Sequence, residues 1–264
     1  MEEKNIMKYH SEEYIVAFID VLGASAAMKE NPDLMLNQVH EAYEHAIKTY
    51  NNVYGNKYDE IGIRIFSDNI VIFCKCYSDA PISALSIVVT LAATIQLQFL
   101  HQGILSRGGI AKGDFFNDDV MIWGNALVKS YYLEDKIAIY PRIIIDNNSI
   151  VDVNGFFNSD SKVAKALKED FILQDKDGLF YVNYLNMVKG VSSERLENEV
   201  GRDIDEIKSI IISLYYDDAC DKRDKHQKDI KLIQKINWHL EYLSRYISEN
   251  NIVLYPFDEE KDNV

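Results

Sequence analysis

Two aspartates stand where carboxylates could do chemistry rather than merely end a turn. Asp20 closes the near-continuous apolar run Tyr14-Ile15-Val16-Ala17-Phe18-Ile19, the pattern of a central strand covered on both sides. Asp68 sits at the tip of a hairpin between the β-rich runs Ile61–Phe66 and Ile70–Cys76. If that hairpin pairs antiparallel beside the first strand, neighbouring backbones lie about 4.8 Å apart. Two carboxylates on one sheet face could then bridge hard divalent cations through oxygen, a donor set suited to Mg²⁺ or Mn²⁺. The same residues also fit a plainer reading, in which Asp20 caps a turn and Asp68 occupies a hairpin tip. Gly23-Ala24-Ser25 follows closely. A small-residue turn at a helix start exposes N–H groups that can cradle phosphate, although many strand-to-helix turns look alike.

The elements that must position these residues follow from periodicity. Pro32 to Tyr50 carries Leu36, Val39, Tyr43, Ile47 and Tyr50 at helical spacing. The tight interval Ser67-Asp68-Asn69 reads as a hairpin turn without the Asn-Gly form. An apolar helix is expected over about residues 82–101 and a strand over about 107–116. The order strand, helix, strand, strand, helix, strand is the ferredoxin-like pattern. It predicts an α+β domain with both long helices on one face of a sheet and the other face left for something else. Beyond it, Trp123 to Glu134 reads as helix, and Pro141 to Ile145 as a strand. Phe171–Leu173 and Leu179–Val182 flank Asp175-Lys176-Asp177-Gly178 as a last hairpin. From about Ile204 the chain turns charged and helical, and Ile233, Ile236, Leu240, Leu243 and Ile247 form a coiled-coil-like seam. Residues 204–250 therefore read as a helical hairpin, which divides the chain into a domain over 1–203 and an extension over 204–264. The acidic end, 257–264, reads as frayed.

Four motifs in order over about residues 14–135 resemble class III nucleotidyl cyclases. Phe18-Ile19-Asp20-Val21-Leu22-Gly23 resembles the family's opening Phe-x-Asp-Ile-x-Gly. Ser67-Asp68 falls where the family has Gly-Asp at its second metal ligand. Arg107-Gly108-Gly109-Ile110-Ala111-Lys112-Gly113 resembles its Arg-x-Gly-Ile-x-x-Gly strand, and Ile122-Trp123-Gly124-Asn125 with Leu133-Glu134 its Trp-Gly-Asn…Leu-Glu arm and helix. The positions that read and partner adenine in adenylate cyclases hold Arg64 and Met121, and the arm-helix Asn and Arg are replaced by Val128 and Tyr132. With Ala138-Ile139-Tyr140-Pro141-Arg142-Ile143 and the Asp177-Gly178-Leu179-Phe180-Tyr181-Val182 hairpin, the chain is similar to the pyrimidine cyclases of bacterial Pycsar antiphage systems, over about residues 14–185.

The resemblance implies a lyase acting on a nucleoside triphosphate, UTP or CTP, with two Mn²⁺ or Mg²⁺ ions per site. Asp20 and Asp68 are the catalytic ligands of those ions and the Val21 carbonyl a further one. Phe18, Gly23, Ala24, Arg64 and Arg107 are the substrate contacts. It also implies a homodimer with shared sites and a cyclic UMP or cyclic CMP messenger read by a separate effector protein. Two alternatives stand beside this: a purine cyclase or palm-type cyclic-nucleotide polymerase, and a catalytically dead dimeric scaffold that binds nucleotide. The hairpin sequence Phe66-Ser67-Asp68-Asn69 lacks the Gly-Gly-Asp/Glu-Glu-Phe form of diguanylate cyclases.

Single residues carry two readings each. Arg107 reads as a substrate contact or a structural ion pair, and Arg64, on the first hairpin strand, as a side chain that could reach a base edge. Tyr131 and Tyr132 read as packing residues of the arm helix or as base-stacking groups. Arg142 reads as the partner of a buried acid such as Glu134. The six histidines are scattered without ligand spacing. Lys+Arg of 28 against Asp+Glu of 42 gives −14, which opposes a nucleic-acid partner while leaving room for a nucleotide whose charge bound cations offset. Cys74, Cys76 and Cys220 make no even disulfide framework. No leader-like apolar start is seen, and the apolar run 82–100 is interrupted by Ser, Thr and Gln. The expectation is a cytoplasmic protein without a membrane span.

Overall fold

The computed structural model describes residues 9–54, 61–77, 81–152, 161–190 and 204–254. Its organising strand is β1 (Glu12–Val21), whose alternation builds two cores. Ile15, Ala17, Ile19 and Val21 point to one face, where Met35, Val39 and Ala42 of α2 (Pro32–Tyr54) and Leu85, Val88 and Phe99 of α3 (Pro81–His101) cover them. Val16 and Phe18 point to the other face and pack with Val71, Phe73, Phe115 and Ala126. Asp20 shares the parity of Val16 and Phe18, so it opens on that second face.

Between β1 and α2 lies the short helix α1 (Ala24–Glu30). The hairpin strands β2 (Ile61–Phe66) and β3 (Asn69–Lys75) pair with each other, and β3 pairs antiparallel with β1. Strand β4 (Ser106–Asn117) pairs antiparallel with the other edge of β1. These four are the predicted ferredoxin-like core, in the order β2-β3-β1-β4. The sheet continues through β6 (Ile143–Ile145), parallel to β4, to β8 (Phe180–Val182) and β7 (Ile172–Gln174). The apolar run that passes for a membrane span by length is α3, and most of it is buried between the sheet and its neighbours.

The expected helix from Trp123 to Glu134 is corrected. Ile122–Trp123 is a two-residue strand, β5, folded back on β4; helix α4 (Asn125–Tyr132) begins after Gly124, and Leu133–Ile137 is a π-helical turn. Helix α4 lies directly on β4 because Gly109 has no side chain. A Cβ there would stand 2.4 Å from the Ser130 carbonyl oxygen. Three further short segments had no periodic signature long enough to read: α5 (Asn147–Asp152), α6 (Lys162–Ala166) with the turn Leu167–Phe171, and the 3-10 turn Tyr184–Gly190.

The helical hairpin is present as α7 (Ile204–Lys225) and α8 (Ile230–Glu249). It is docked on the sheet domain: Ile212, Tyr215, Ala219, Ile236 and Leu243 belong to the same core cluster as α2 and α3. The expected boundary at 203 and the tail 257–264 lie outside the described residues. The buried stripe of α8 is wider than the aliphatic seam and includes His239, Tyr242 and Tyr246. Arg142 fixes this corner. It is 1% exposed, pairs with Asp175 and Asp177 of the β7–β8 turn, and lies over the rings of Tyr140, Tyr181 and Trp238. Trp238 of α8 donates to the same Asp175 (2.7 Å). Arg142 therefore does satisfy acids, but they are the turn aspartates and not Glu134.

His239 is fully buried against the Tyr184 hydroxyl (3.1 Å), and burial pushes its pKa down from 6.5 to about 3. Between those values the unfolded chain binds the extra proton, so stability rises with pH and is lost on acidification below about 6.5. Chemical denaturation from pH 7 to pH 4 is expected to show this as a loss of up to about 1.4 kcal/mol per pH unit, and His239→Leu to flatten it by that amount. Equal slopes in the two proteins would contradict the assignment.

Candidate functional site

Backbone register brings the two sequence-predicted aspartates to one end of the sheet. Asp20 pairs with Asn69 on one side and Arg107 on the other, and Asp68 is the neighbour of Asn69. The Val21 N–H donates to the Asp68 carbonyl (3.3 Å), which ties the end of β1 to the β2–β3 turn. Ser67 opens that two-residue turn with a left-handed φ of 59°, a position where hairpins of this kind favour glycine. Both aspartates are half-buried, and the Asn69 amide donates to Asp68 (3.1 Å).

Arg107 sits at the centre of the cluster. Its Nε lies 3.4 Å from Asp20 and its Nη2 2.7 Å from Glu134, while Nη1 donates to the Ala138 carbonyl (3.4 Å). Glu134 is 3% exposed on the π-helical turn, a local distortion that often marks functional sites. Burial raises its pKa to about 7; Arg107 opposes that rise, and Asp20 adds to it. Burial likewise pushes the Asp20 carboxyl up. Arg107 pulls it back, Asp68 reinforces the push, and Lys235 of α8 opposes it. So three acids and two cations, Arg107 and Lys235, share one electrostatic environment.

Lys235 and Glu134 are the residues the sequence reading did not place in the site. Lys235 had a signal: it falls four and seven residues before His239 and Tyr242, on the buried stripe of α8, where a lone cation is out of place. Glu134 stands in the arm motif, and its cation is Arg107 rather than Arg142.

The other expected residues divide. Gly23 takes φ 81° with open space where a Cβ would stand, so its turn is accessible. Ala24 borders the same opening, yet its side chain is buried in the main core, which leaves only its backbone for a ligand. Phe18 does not line a cavity among those described. It packs edge-on against Phe66 and Tyr131 in the second core. Arg64 lies exposed on the second face over the Phe73 ring and donates to the Asp118 carbonyl (3.3 Å), while Asp118 in turn donates its N–H to Met121 (3.0 Å). The two substituted purine-reading positions are thereby linked through Asp118. Val128 and Tyr132 point outward from α4, 64% and 56% exposed, so neither offers a polar group to the Asp20 cluster.

Among the described residues no three metal-ligating side chains converge. Two carboxylates with backbone and substrate oxygens still suit Mg²⁺, which keeps several waters and takes one or two carboxylates plus phosphates.

No family model and no curated protein matches the chain. Among solved structures it is similar to a class III adenylyl cyclase-like ATP-binding protein from Pseudomonas aeruginosa, with a TM-score of 0.38 and 12% identity over 69% of this chain. The chain spans 41% of that protein's chain, and a likeness of this size carries no argument about family or ligand.

Because Arg107 bridges Asp20 and the buried Glu134, removing it leaves two partly desolvated acids without the cation that is hydrogen-bonded to them. Arg107→Met is expected to cost about 3 kcal/mol in chemical denaturation at pH 7. A change below about 0.5 kcal/mol would mean that the pair is incidental.

Proposed function

We propose that this chain is a divalent-metal-dependent nucleotidyl cyclase that makes a pyrimidine 3′,5′-cyclic monophosphate from UTP or CTP. The observation that carries the reading is the β1–β3 register, which pairs Asp20 with Asn69 and so brings Asp68, against Val21, to the same end of the sheet as the Gly23 turn. In the reaction, a bond forms between the ribose 3′-oxygen and the α-phosphorus. The bond from that phosphorus to the β-phosphate bridge breaks, diphosphate leaves with the electron pair, and the hydroxyl proton passes to solvent. Two Mn²⁺ or Mg²⁺ ions held by Asp20, Asp68 and the Val21 carbonyl would lower the pKa of the 3′-hydroxyl and offset charge on the departing diphosphate. The Gly23 turn would present backbone N–H groups to the phosphates. Arg107, already hydrogen-bonded to Asp20, would hold that carboxylate in place and shift towards substrate oxygen.

Pyrimidine choice rests on Arg64 and Met121. A guanidinium can donate to the O2 or O4 acceptor of uracil, or to the O2 and N3 of cytosine, and uracil's two carbonyls favour UTP slightly. A second copy of this chain is the expected partner. Val120, Met121, Trp123, Val128 and Tyr132 leave exposed apolar side chains on the β4–β5 arm and the outer side of α4, and the resemblance places such sites between subunits. The product would act in the cytoplasm as a messenger for a separate antiphage effector.

A nucleotide-binding scaffold without turnover is the second reading. It is favoured by the outward, apolar Val128 and Tyr132 and by the Arg107 guanidinium already resting on Asp20.

Purified protein with each of the four nucleoside triphosphates and Mn²⁺, read by product mass, separates these readings. Cyclic UMP or cyclic CMP is expected to exceed the purine products by about ten- to a hundred-fold, the selectivity that one charge-assisted hydrogen bond supplies. Arg64→Ala is expected to narrow that gap more than it slows turnover. Faster cyclic AMP or cyclic GMP formation would overturn the pyrimidine assignment, and no cyclic product from any substrate would leave the scaffold.

A further inference from the structure

The described cavities include one of about 570 Å³ between the end of β1 and the C-terminal helical hairpin. Val21, Leu22 and Gly23 border it on one side, and Lys222, His226, Lys231 and Lys235 on the other. In a chain of net charge −14, four cationic or protonatable side chains around one opening run against the general composition. Lys222 is already committed: it donates to the Gly103 carbonyl (2.6 Å) and pairs with Asp218, which pins α7 to the loop before β4. Lys231 and Lys235 are not. They lie one turn apart on α8, and neither has a hydrogen bond or ion pair among the described residues. Asp229, the acid on this rim, is occupied in capping α8, where it accepts from the Leu232 N–H (3.1 Å).

Lys235 is half-buried rather than waving in solvent, and holding an ammonium there without a bonded partner costs free energy. The Asp20 and Asp229 carboxylates contribute some compensation through the electrostatic field, which Arg107 and Lys231 oppose. A bound polyanion would supply the rest. We propose that Lys235, with Lys231 beside it, binds the polyphosphate chain of the substrate, so that the C-terminal hairpin forms the second wall of the nucleotide site within the same chain. The inference rests on the cyclase reading for the identity of the ligand as a nucleoside triphosphate. The site itself rests on the cavity and its cations. It also gives the hairpin a functional reason to share the core of the sheet domain, since an independently moving pair of helices could not hold Lys235 opposite Gly23.

The test is equilibrium binding of inorganic tripolyphosphate, and of the non-cyclisable analogue α,β-methylene-UTP, by calorimetry in the presence of Mg²⁺. Wild type is expected to bind both. Lys235→Ala is expected to weaken both by about ten- to a hundred-fold, as loss of a charge-assisted contact does, and Lys231→Ala by a smaller factor. Lys235→Arg is expected to restore most of the affinity, which a packing role for the stem would not explain, and circular dichroism would show the variants folded. The uridine nucleoside, having no phosphate, should bind all variants alike. A Lys235→Ala affinity within twofold of wild type, or no measurable tripolyphosphate binding by wild type, would overturn the proposal. The two readings fail separately. A protein that binds tripolyphosphate through Lys235 but cyclises nothing loses the cyclase assignment and keeps this site, whereas an active enzyme whose KM ignores Lys235→Ala loses this site alone.

Discussion

A strand buried on both faces and paired on both edges has no freedom of register, and β1 is such a strand. A slip of one residue would exchange Ile15, Ala17 and Ile19 for Val16 and Phe18 and send every side chain to the wrong core. That constraint fixes where Asp20 emerges. It has the parity of the second face and lies one step beyond the fully buried Ile19, where β4 delivers Arg107 and the β2–β3 turn brings Asp68 against Val21. Chemistry at this end of the sheet is therefore positioned by hydrophobic alternation many residues away, and not by the local turn.

What the alternation brings together is electrostatically costly. Asp20, Asp68 and the buried Glu134 crowd acids at the end of a sheet, and among the described residues Arg107 is the one cation hydrogen-bonded to them. Unpaired buried carboxylates would otherwise be driven to protonate. The arrangement is tolerable because Lys235 approaches from α8 and because divalent cations, when bound, take up the same negative field. The docking of the helical hairpin and the charge state of the cluster are thus one problem. Helix α8 is held by Arg142, Trp238 and His239 on the β7–β8 side, and this packing places Lys235 in the field of Asp20.

Much of this was legible in the sequence, and the reasons differ by element. The core order follows from long runs with clean periods: the apolar β1, the helices read over 32–50 and about 82–101, and the tight Ser67-Asp68-Asn69 interval. The pairing of Asp20 with Arg107 was open, because an arginine at a strand start serves a ligand and an ion pair equally well. Arg142 reads as the partner of a buried acid such as Glu134; only the three-dimensional path of the β7–β8 turn brings Asp175 and Asp177 to the guanidinium. Phe18 is a contact by resemblance alone; its ring packs in the second core, on the same face as Asp20. Lys235 was hidden inside a seam read for its aliphatic residues alone, although its place on the His239–Tyr242 stripe marked it. The β5 strand and the π-helical turn are too short for periodicity to register.

Whether Asp20 and Asp68 hold divalent ions is decided most directly by counting them. Free Mn²⁺ can be followed by its paramagnetic resonance signal during titration of the protein with α,β-methylene-UTP present. Wild type is expected to bind about two ions per chain, as two-metal sites do. Asp20→Asn and Asp68→Asn are each expected to bind at most one, weakly, while retaining the fold. Binding of Mn²⁺ by the Asp68→Asn protein that matches wild type, or none by wild type with the nucleotide analogue present, would contradict the assignment of these two carboxylates as metal ligands.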